Sequence, residues 1–287
     1  MGFDPRWLEA RFAFDAAAFH SGCFEAFEAQ LAALPTKRIA DMGAGLGANI
    51  RHLAPRLRGP QSWTLVDTDA AILEESITAL AAWGTERGWH LEGRGETSVS
   101  FDCGGDSIEV ETVCASLLEV ERTVLSRVDA VTANAVFDLL TAAELEAFVG
   151  TLARCGLPLF ATLNYTGMAL SPSTPQDLSW IEAYESHMRR SRGGRALGPD
   201  CARALLAQLG AQGFATTSGP SQWKISGRDQ QMVTHLLDFM QGSVPQVLSG
   251  ASARAGFESW LRARRGSTAK RQLSATVDHL DIFASPG

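Results

Sequence analysis

Three glycines alternate in Asp41-Met42-Gly43-Ala44-Gly45-Leu46-Gly47-Ala48-Asn49, directly after the short apolar run Arg38-Ile39-Ala40. Glycine at a strand-to-helix turn lets the backbone pass close to a ligand and leaves the helix-start N–H groups free to receive it. Two carboxylates frame the turn. Asp41 stands two positions before Gly43, and Asp67 closes the next apolar run, Ser62-Trp63-Thr64-Leu65-Val66. A carboxylate offers two acceptor oxygens to a vicinal diol, so the chemistry on offer is a backbone cradle for a nucleotide-like ligand. Gly43-x-Gly45-x-x-Ala48 also satisfies one form of the dinucleotide-binding turn, and an NAD(P)-dependent oxidoreductase is the alternative reading. Against it stand the third glycine at Gly47 and the acidic Asp41. A carboxylate there repels a pyrophosphate and suits a ligand with a cationic amino group.

The elements that must position these residues alternate. An amphipathic helix spans about 15–34, with Phe19, Cys23, Phe24, Phe27 and Leu31 at helical spacing, ending before Pro35. The strand at 38–40 then leads into a helix running to about Leu57, and the strand at 62–66 into a helix over 70–83. Val99–Cys103 and Ile108–Val113 flank Gly104-Gly105 as a hairpin with a tight primed turn. A strand at 128–133, a helix at 142–152 and a strand at 157–163 follow. Strands alternating with helices predict a parallel sheet covered on both faces. Beyond Leu163 the pattern loosens. Helices are expected from about 173 to 190, after Pro199-Asp200 to Gly210, over 229–240 and over 253–264. A strand region at 214–225 is expected to break at Gly219-Pro220, and Gly193-Gly194 reads as a flexible link. A terminal strand covers 274–283.

Asp41-x-Gly43-x-Gly45-x-Gly47, with Asp67 at the tip of the following strand, resembles the class I S-adenosylmethionine-dependent methyltransferases over about residues 37–165. The run from Phe14-Asp15 through Asp41–Asn49 to Leu65-Val66-Asp67-Thr68-Asp69 looks like a group of uncharacterised bacterial small-molecule methyltransferases. The resemblance implies an α/β fold: Rossmann-like, doubly wound, with a mostly parallel seven-stranded sheet whose last strand is antiparallel, plus helical cap insertions. It divides the chain into an N-terminal helical lid, 1–36, and a catalytic domain, 37–287, with cap helices about 173–195 and 228–266. It implies S-adenosyl-L-methionine as the cofactor. Gly43, Gly45 and Gly47 would contact its methionine part and ribose, and Asp41 would orient its amino group, directly or through water, with Asn49 in the turn. Asp67 would accept both ribose hydroxyls and Thr68 would border the adenine. Asn134 and Ala135 would line the methionine side. The family often carries an acidic residue for the adenine amino group where this chain has Ala115-Ser116-Leu117, so Ser116, Leu117 or backbone groups would serve. Arg11 and Asp15 would reach the cofactor from the lid.

Methyl transfer needs alignment and water exclusion more than a fixed set of catalytic groups, and the sequence shows no catalytic motif. Asn134-Ala135-Val136-Phe137 departs from the Asn-Pro-Pro-Tyr type of the family's nucleic-acid amino methylases, which implies O- or N-methylation of a small molecule. The acceptor pocket is expected outside the carboxyl ends of the strands. Tyr165 and His187 are the expected catalytic residues, with Asp138, Asn164, Arg189, Arg195 and Trp223 as further candidates. A net charge of −7 and the short basic clusters Arg189-Arg190/Arg192 and Arg262–Arg265 argue against nucleic acid. Five scattered cysteines and six scattered histidines predict neither disulfides nor a metal, and a cytoplasmic protein. No signal peptide is expected, and no apolar stretch approaches the ~20 residues of a membrane span.

Overall fold

The computed structural model describes residues 5–190 and 194–287. Arg192 and Gly193, expected in a basic cluster and a flexible link, lie outside the described residues. Nine strands form one sheet in the order β3-β4-β5-β2-β1-β6-β7-β9-β8. They are β1 (Lys37–Met42), β2 (Gln61–Asp67), β3 (His90–Arg94), β4 (Ser98–Asp102), β5 (Ser107–Cys114), β6 (Ala130–Asn134), β7 (Leu159–Ser171), β8 (Ala215–Ile225) and β9 (Ser274–Ser285). From β5 to β8 the sheet has the seven strands expected. The pairs β1/β2, β1/β6, β2/β5 and β6/β7 are parallel, and β9 runs antiparallel between β7 and β8. The number seven is corrected to nine because β4 and β3 extend the edge antiparallel beyond β5. All five residues of β3 are exposed, so it carries no buried face for a pattern to reveal.

Alternate residues of the central strands face opposite helix layers. Ile39, Trp63 and Leu65 pack under α2 (Ser21–Leu31), α3 (Ala48–Leu53) and α4 (Ala70–Glu86). Ala40, Met42, Val131 and Ala133 pack under α5 (Ala142–Cys155) and α7 (Cys201–Ala211). A third core joins the far ends of β7, β8 and β9 to α1 (Pro5–Ala18), α6 (Asp177–Met188), α8 (Gln230–Ser243) and α9 (Ala251–Ala269).

The structure redraws three local expectations. The N-terminal helix is two helices, α1 and α2, and the N-cap of α2 is His20, whose Nδ1 accepts the Cys23 N–H at 3.2 Å. The helix expected to reach Leu57 ends at Leu53. Gly219-Pro220 does not break β8. It is the outermost strand on that side, so a missing proline N–H costs the ladder nothing, and a Cβ on Gly219 would lie 2.1 Å from the His20 ring.

Candidate functional site

At the carboxyl ends of β1, β2, β5 and β6 the chain leaves a cleft of about 420 Å³. Its floor is the glycine turn. Gly43, Gly45 and Gly47 have φ of 65°, 52° and 78°, in the left-handed region that favours glycine. A Cβ on Gly43 would come 2.6 Å from Val136 Cγ2, so only glycine fits between the turn and the tip of β6. Asp67 ties the turn to β2: its Oδ2 accepts the Gly45 N–H at 3.0 Å and its Oδ1 accepts the Asp69 N–H at 3.1 Å. Each oxygen keeps a second acceptor site, and the residue lines the cleft. Asp69 caps α4, accepting the N–H groups of Ala71 and Ile72, as a residue before a helix is expected to do.

Most of the expected cofactor residues gather here. Gly43, Gly45, Asp67, Thr68, Ser116, Leu117, Asn134, Ala135 and Arg11 all line the cleft. Asp41, Gly47 and Asn49 do not. Asp41 is buried below the turn, where its Oδ1 accepts from Asn49 Nδ2 at 2.9 Å and from Thr132 Oγ1 at 2.7 Å. Burial pushes its carboxyl up to about 7. It braces the turn from beneath and lies outside the cleft lining, so the carboxylates that line the cleft are Asp67, Asp69 and Glu144. Gly47 is the N-cap of α3 and packs against Ile50 and Leu80.

Arg11 reaches the cleft from α1. Its Nε donates to Asp15 Oδ2 at 2.9 Å and its Nη2 to Asn134 Oδ1 at 3.4 Å, while its guanidinium lies 5.3 Å over the Trp223 ring. Burial raises Asp15 to about 6, against the pull of Arg11. The charges lining the cleft are Arg11 against Asp67, Asp69 and Glu144, an acidic balance among the described residues. Apolar side chains of Ile72, Leu117, Leu118 and Leu139 make up the far wall.

A second cavity of about 330 Å³ opens beside the first and shares Arg11, Ala135 and Leu139 with it. Ala135 and Leu163 on its wall both have positive φ, 55° and 53°. Non-glycine residues held so mark locally strained backbone. The Leu163 N–H is held by Asp281 Oδ1 at 2.8 Å, where β7 and β9 slip register. Both expected catalytic residues line this cavity. His187 is half-buried on α6. The Tyr165 hydroxyl donates to Glu185 Oε1 at 3.1 Å, and burial, with Glu185 beside it, raises the phenol above its ordinary value. Asp138 and Trp223 line the cavity as well, and burial raises Asp138 to about 6. Asn164 does not line it; its amide donates to the Ala161 and Leu280 carbonyls within the sheet. Arg189 pairs with Asp200, and Arg195 is exposed outside the cavity.

Sequence reasoning missed His279, Trp7 and Tyr184, which also line the second cavity. A signal for His279 existed: on β9 it shares the two-residue alternation with the apolar Ala275 and Val277. A wider depression of about 790 Å³ between α4 and the β-hairpin lies apart from both cavities. Among the described residues no cluster of side chains could hold a metal, no disulfide forms, and no helix is long and apolar enough to cross a membrane.

No protein-family profile matches the sequence, and no curated protein does. Comparison with solved structures gives distant matches. The YcgJ protein of Bacillus subtilis is 11% identical, with 93% of this chain and 99% of that chain covered and a TM-score of 0.48. The cyclopropane synthase MmaA2 of Mycobacterium tuberculosis is 12% identical over 92% and 84%, with a TM-score of 0.46. Geranyl diphosphate C-methyltransferase of Streptomyces coelicolor, solved with Mg2+, geranyl diphosphate and S-adenosyl-L-homocysteine, is 14% identical over 93% and 79%, with a TM-score of 0.44.

Proposed function

We propose that the chain is an S-adenosylmethionine-dependent methyltransferase acting on a small molecule. The observation that carries the reading is the pairing of an acidic, glycine-floored cleft with an adjacent aromatic cavity that shares Arg11, Ala135 and Leu139 with it. A cleft lined by Asp67, Asp69 and Glu144 favours a cationic ligand and disfavours the pyrophosphate of a dinucleotide. The antiparallel β9 between β7 and β8 also departs from the all-parallel order of a dinucleotide fold.

The residues fit the cofactor's parts. Asp67 would hold the ribose diol, and Ile72, Leu117, Leu118 and Leu139 would enclose the adenine. Gly43 and Gly45 would let the backbone approach, and Arg11 would bind the methionine carboxylate beside Asn134. Bound there, S-adenosylmethionine supplies an electrophilic methyl group on a sulfonium. The protein's own contribution is alignment and exclusion of water. Leu8 of α1 reaches over Gly45, and Trp7 closes the second cavity. Of the expected lid, 1–36, α1 supplies Trp7, Leu8 and Arg11 to the cavities while α2 packs under the sheet, so α1 would act as the lid, with α6, α8 and α9 as the cap over the acceptor.

Thermal unfolding separates the two ligand classes. S-adenosylhomocysteine at a hundredfold excess over its dissociation constant should stabilise the protein by about 2.7 kcal/mol and raise its melting temperature, while NADH should leave it unchanged. Stabilisation by NADH alone would replace this reading with that of an oxidoreductase.

A further inference from the structure

We propose that the second cavity takes a small aromatic carboxylate, whose anionic group is held at the cap end by Arg190 with His187 and Ser243 beside it. The proposal rests on the methyltransferase reading for the orientation of the guest but not for its binding. Among the described residues two arginines line this cavity, and only one of them carries a counter-charge. At the junction with the cleft, Arg11 is paired with Asp15 at 2.9 Å. Its charge also reaches Asp138, next to the shared Leu139. Arg190 stands just past α6 and does not line the cleft. Among the described residues no carboxylate lies within ion-pair distance of it, whereas its neighbour Arg189 is paired with Asp200.

The free donors of Arg190 have the geometry of a carboxylate clamp. Nη1 donates to the Gln246 carbonyl at 3.2 Å, which fixes the guanidinium against the turn that follows α8. Nε and Nη2, the parallel pair on the side of the fork, have no acceptor among the described residues. The same two donors of Arg38 grip Asp129, at 3.0 and 2.7 Å. His187 lies one turn back on α6 and donates an N–H in either protonation state, and Ser243 ends α8 with a hydroxyl. Both line the cavity, and neither side chain has a hydrogen-bond partner among the described residues. Arg195, bridged to Arg190 through the backbone, adds positive charge on the same edge. One guanidinium with two single donors matches a monoanion.

The remaining wall defines the body of the guest. Trp7 packs edge-on to Trp223 at 6.0 Å and to Phe239 at 4.7 Å, so it offers ring faces and edges to a flat apolar group. At about 330 Å³ the space lies at the small end of the range for ligand pockets, which limits the guest to one ring or a fused pair. With the carboxylate at Arg190, this body points toward Ala135 and Leu139, which the cavity shares with the cleft. Asp138 at that end, raised by burial to about 6 and ionised at pH 7.5, disfavours the reverse orientation. The atom to be methylated is then remote from the carboxylate, and the negative charge serves as the anchor.

The test is equilibrium dialysis of the full chain at pH 7.5 against 2-naphthoate, its neutral isostere 2-naphthamide, and 2-naphthylmethylammonium. The carboxylate should bind roughly 3- to 30-fold more tightly than the amide, between the effect of an exposed ion pair and that of a charged hydrogen bond. Most of that margin should be lost between about 0.05 and 0.5 M salt. Arg190→Gln should bring the carboxylate to the level of the amide and leave the amide nearly unchanged, which also shows that the cavity is intact. S-adenosylhomocysteine should not displace the carboxylate, since the two occupy adjoining cavities. A margin that survives in Arg190→Gln, preference for the amide or the ammonium compound, displacement by S-adenosylhomocysteine, or failure of all three compounds to bind would overturn the proposal. Failure of the methyltransferase reading would show separately, as absence of S-adenosylhomocysteine binding to the unmodified chain.

Discussion

Asp41 sits fully enclosed beneath the glycine turn with its carboxyl raised from 3.8 to about 7, mainly by burial. A raised carboxyl contributes stability that is complete below its unfolded value and lost as pH climbs through the folded one. Between pH 4 and 7 each unit removes up to about 1.4 kcal/mol. Asp15 and Asp138, raised to about 6, act with the same sign. His52 and His279, lowered by burial, act with the opposite sign below about pH 6.5, so the melting temperature should fall from about pH 6.5 to pH 8. Asp41→Asn keeps an acceptor oxygen for Asn49 and Thr132, so it should flatten that slope and be the more stable protein at pH 8; an unchanged slope would contradict the assignment. Gly43→Ala should lose about 1–3 kcal/mol and bind S-adenosylhomocysteine more weakly, because its Cβ meets Val136 where φ is positive. Asp67 was legible in the sequence because a carboxylate ending an apolar strand has few other reasons to be there. Asp41 was legible as a carboxylate at a strand tip, but its bond to Thr132 was not, since that residue belongs to another strand. His279 was not singled out, since only the pairing of β9 with β8 brings it against Ser221.

Among the elements, α4 and the β-hairpin are joined by an unusually close approach. A Cβ on Gly84 would lie 2.3 Å from Phe101, a fully buried ring. Gly84→Ala should cost about 1–3 kcal/mol, or roughly 2–12 °C of melting temperature, and leave S-adenosylhomocysteine affinity unchanged, as the contact is remote from the cleft. The parallel core was readable from apolar runs of ordinary strand length. β7 was read short, at 157–163, because its continuation Asn164-Tyr165-Thr166-Gly167 looks polar. The strand continues to Ser171 because β9 pairs with it across two bulges, and tertiary pairing of this kind overrides local pattern. β8 was read as broken because proline and glycine usually interrupt strands; an edge position and the packing of His20 on Gly219 remove both objections.

At the scale of the molecule, the cap is tied together by one buried ion pair. Asp177 on α6 accepts from Trp260 Nε1 at 2.7 Å and from Arg264 Nε at 3.0 Å, and Arg264 also donates to the Pro172 carbonyl at 2.9 Å. Burial opposes ionisation of Asp177, but the hydrogen bonds from Arg264, Thr174 and Trp260 together outweigh it and hold the carboxyl below its ordinary value. Asp177→Asn leaves Arg264 without its counter-charge and should cost about 3–5 kcal/mol. Because α6 carries Tyr184 and His187, this variant should loosen the wall of the second cavity and still bind S-adenosylhomocysteine, whose cleft borders none of α6, α8 or α9. A loss of S-adenosylhomocysteine affinity in parallel with stability would show that cap and cleft are one unit. The central claim is that the cleft beside Asp67 holds S-adenosylmethionine. Calorimetric titration of the protein and of Asp67→Ala with S-adenosylhomocysteine tests it most directly. One site per chain is expected, weakened at least tenfold in the variant; no heat of binding, or equal affinity in the two proteins, would contradict it.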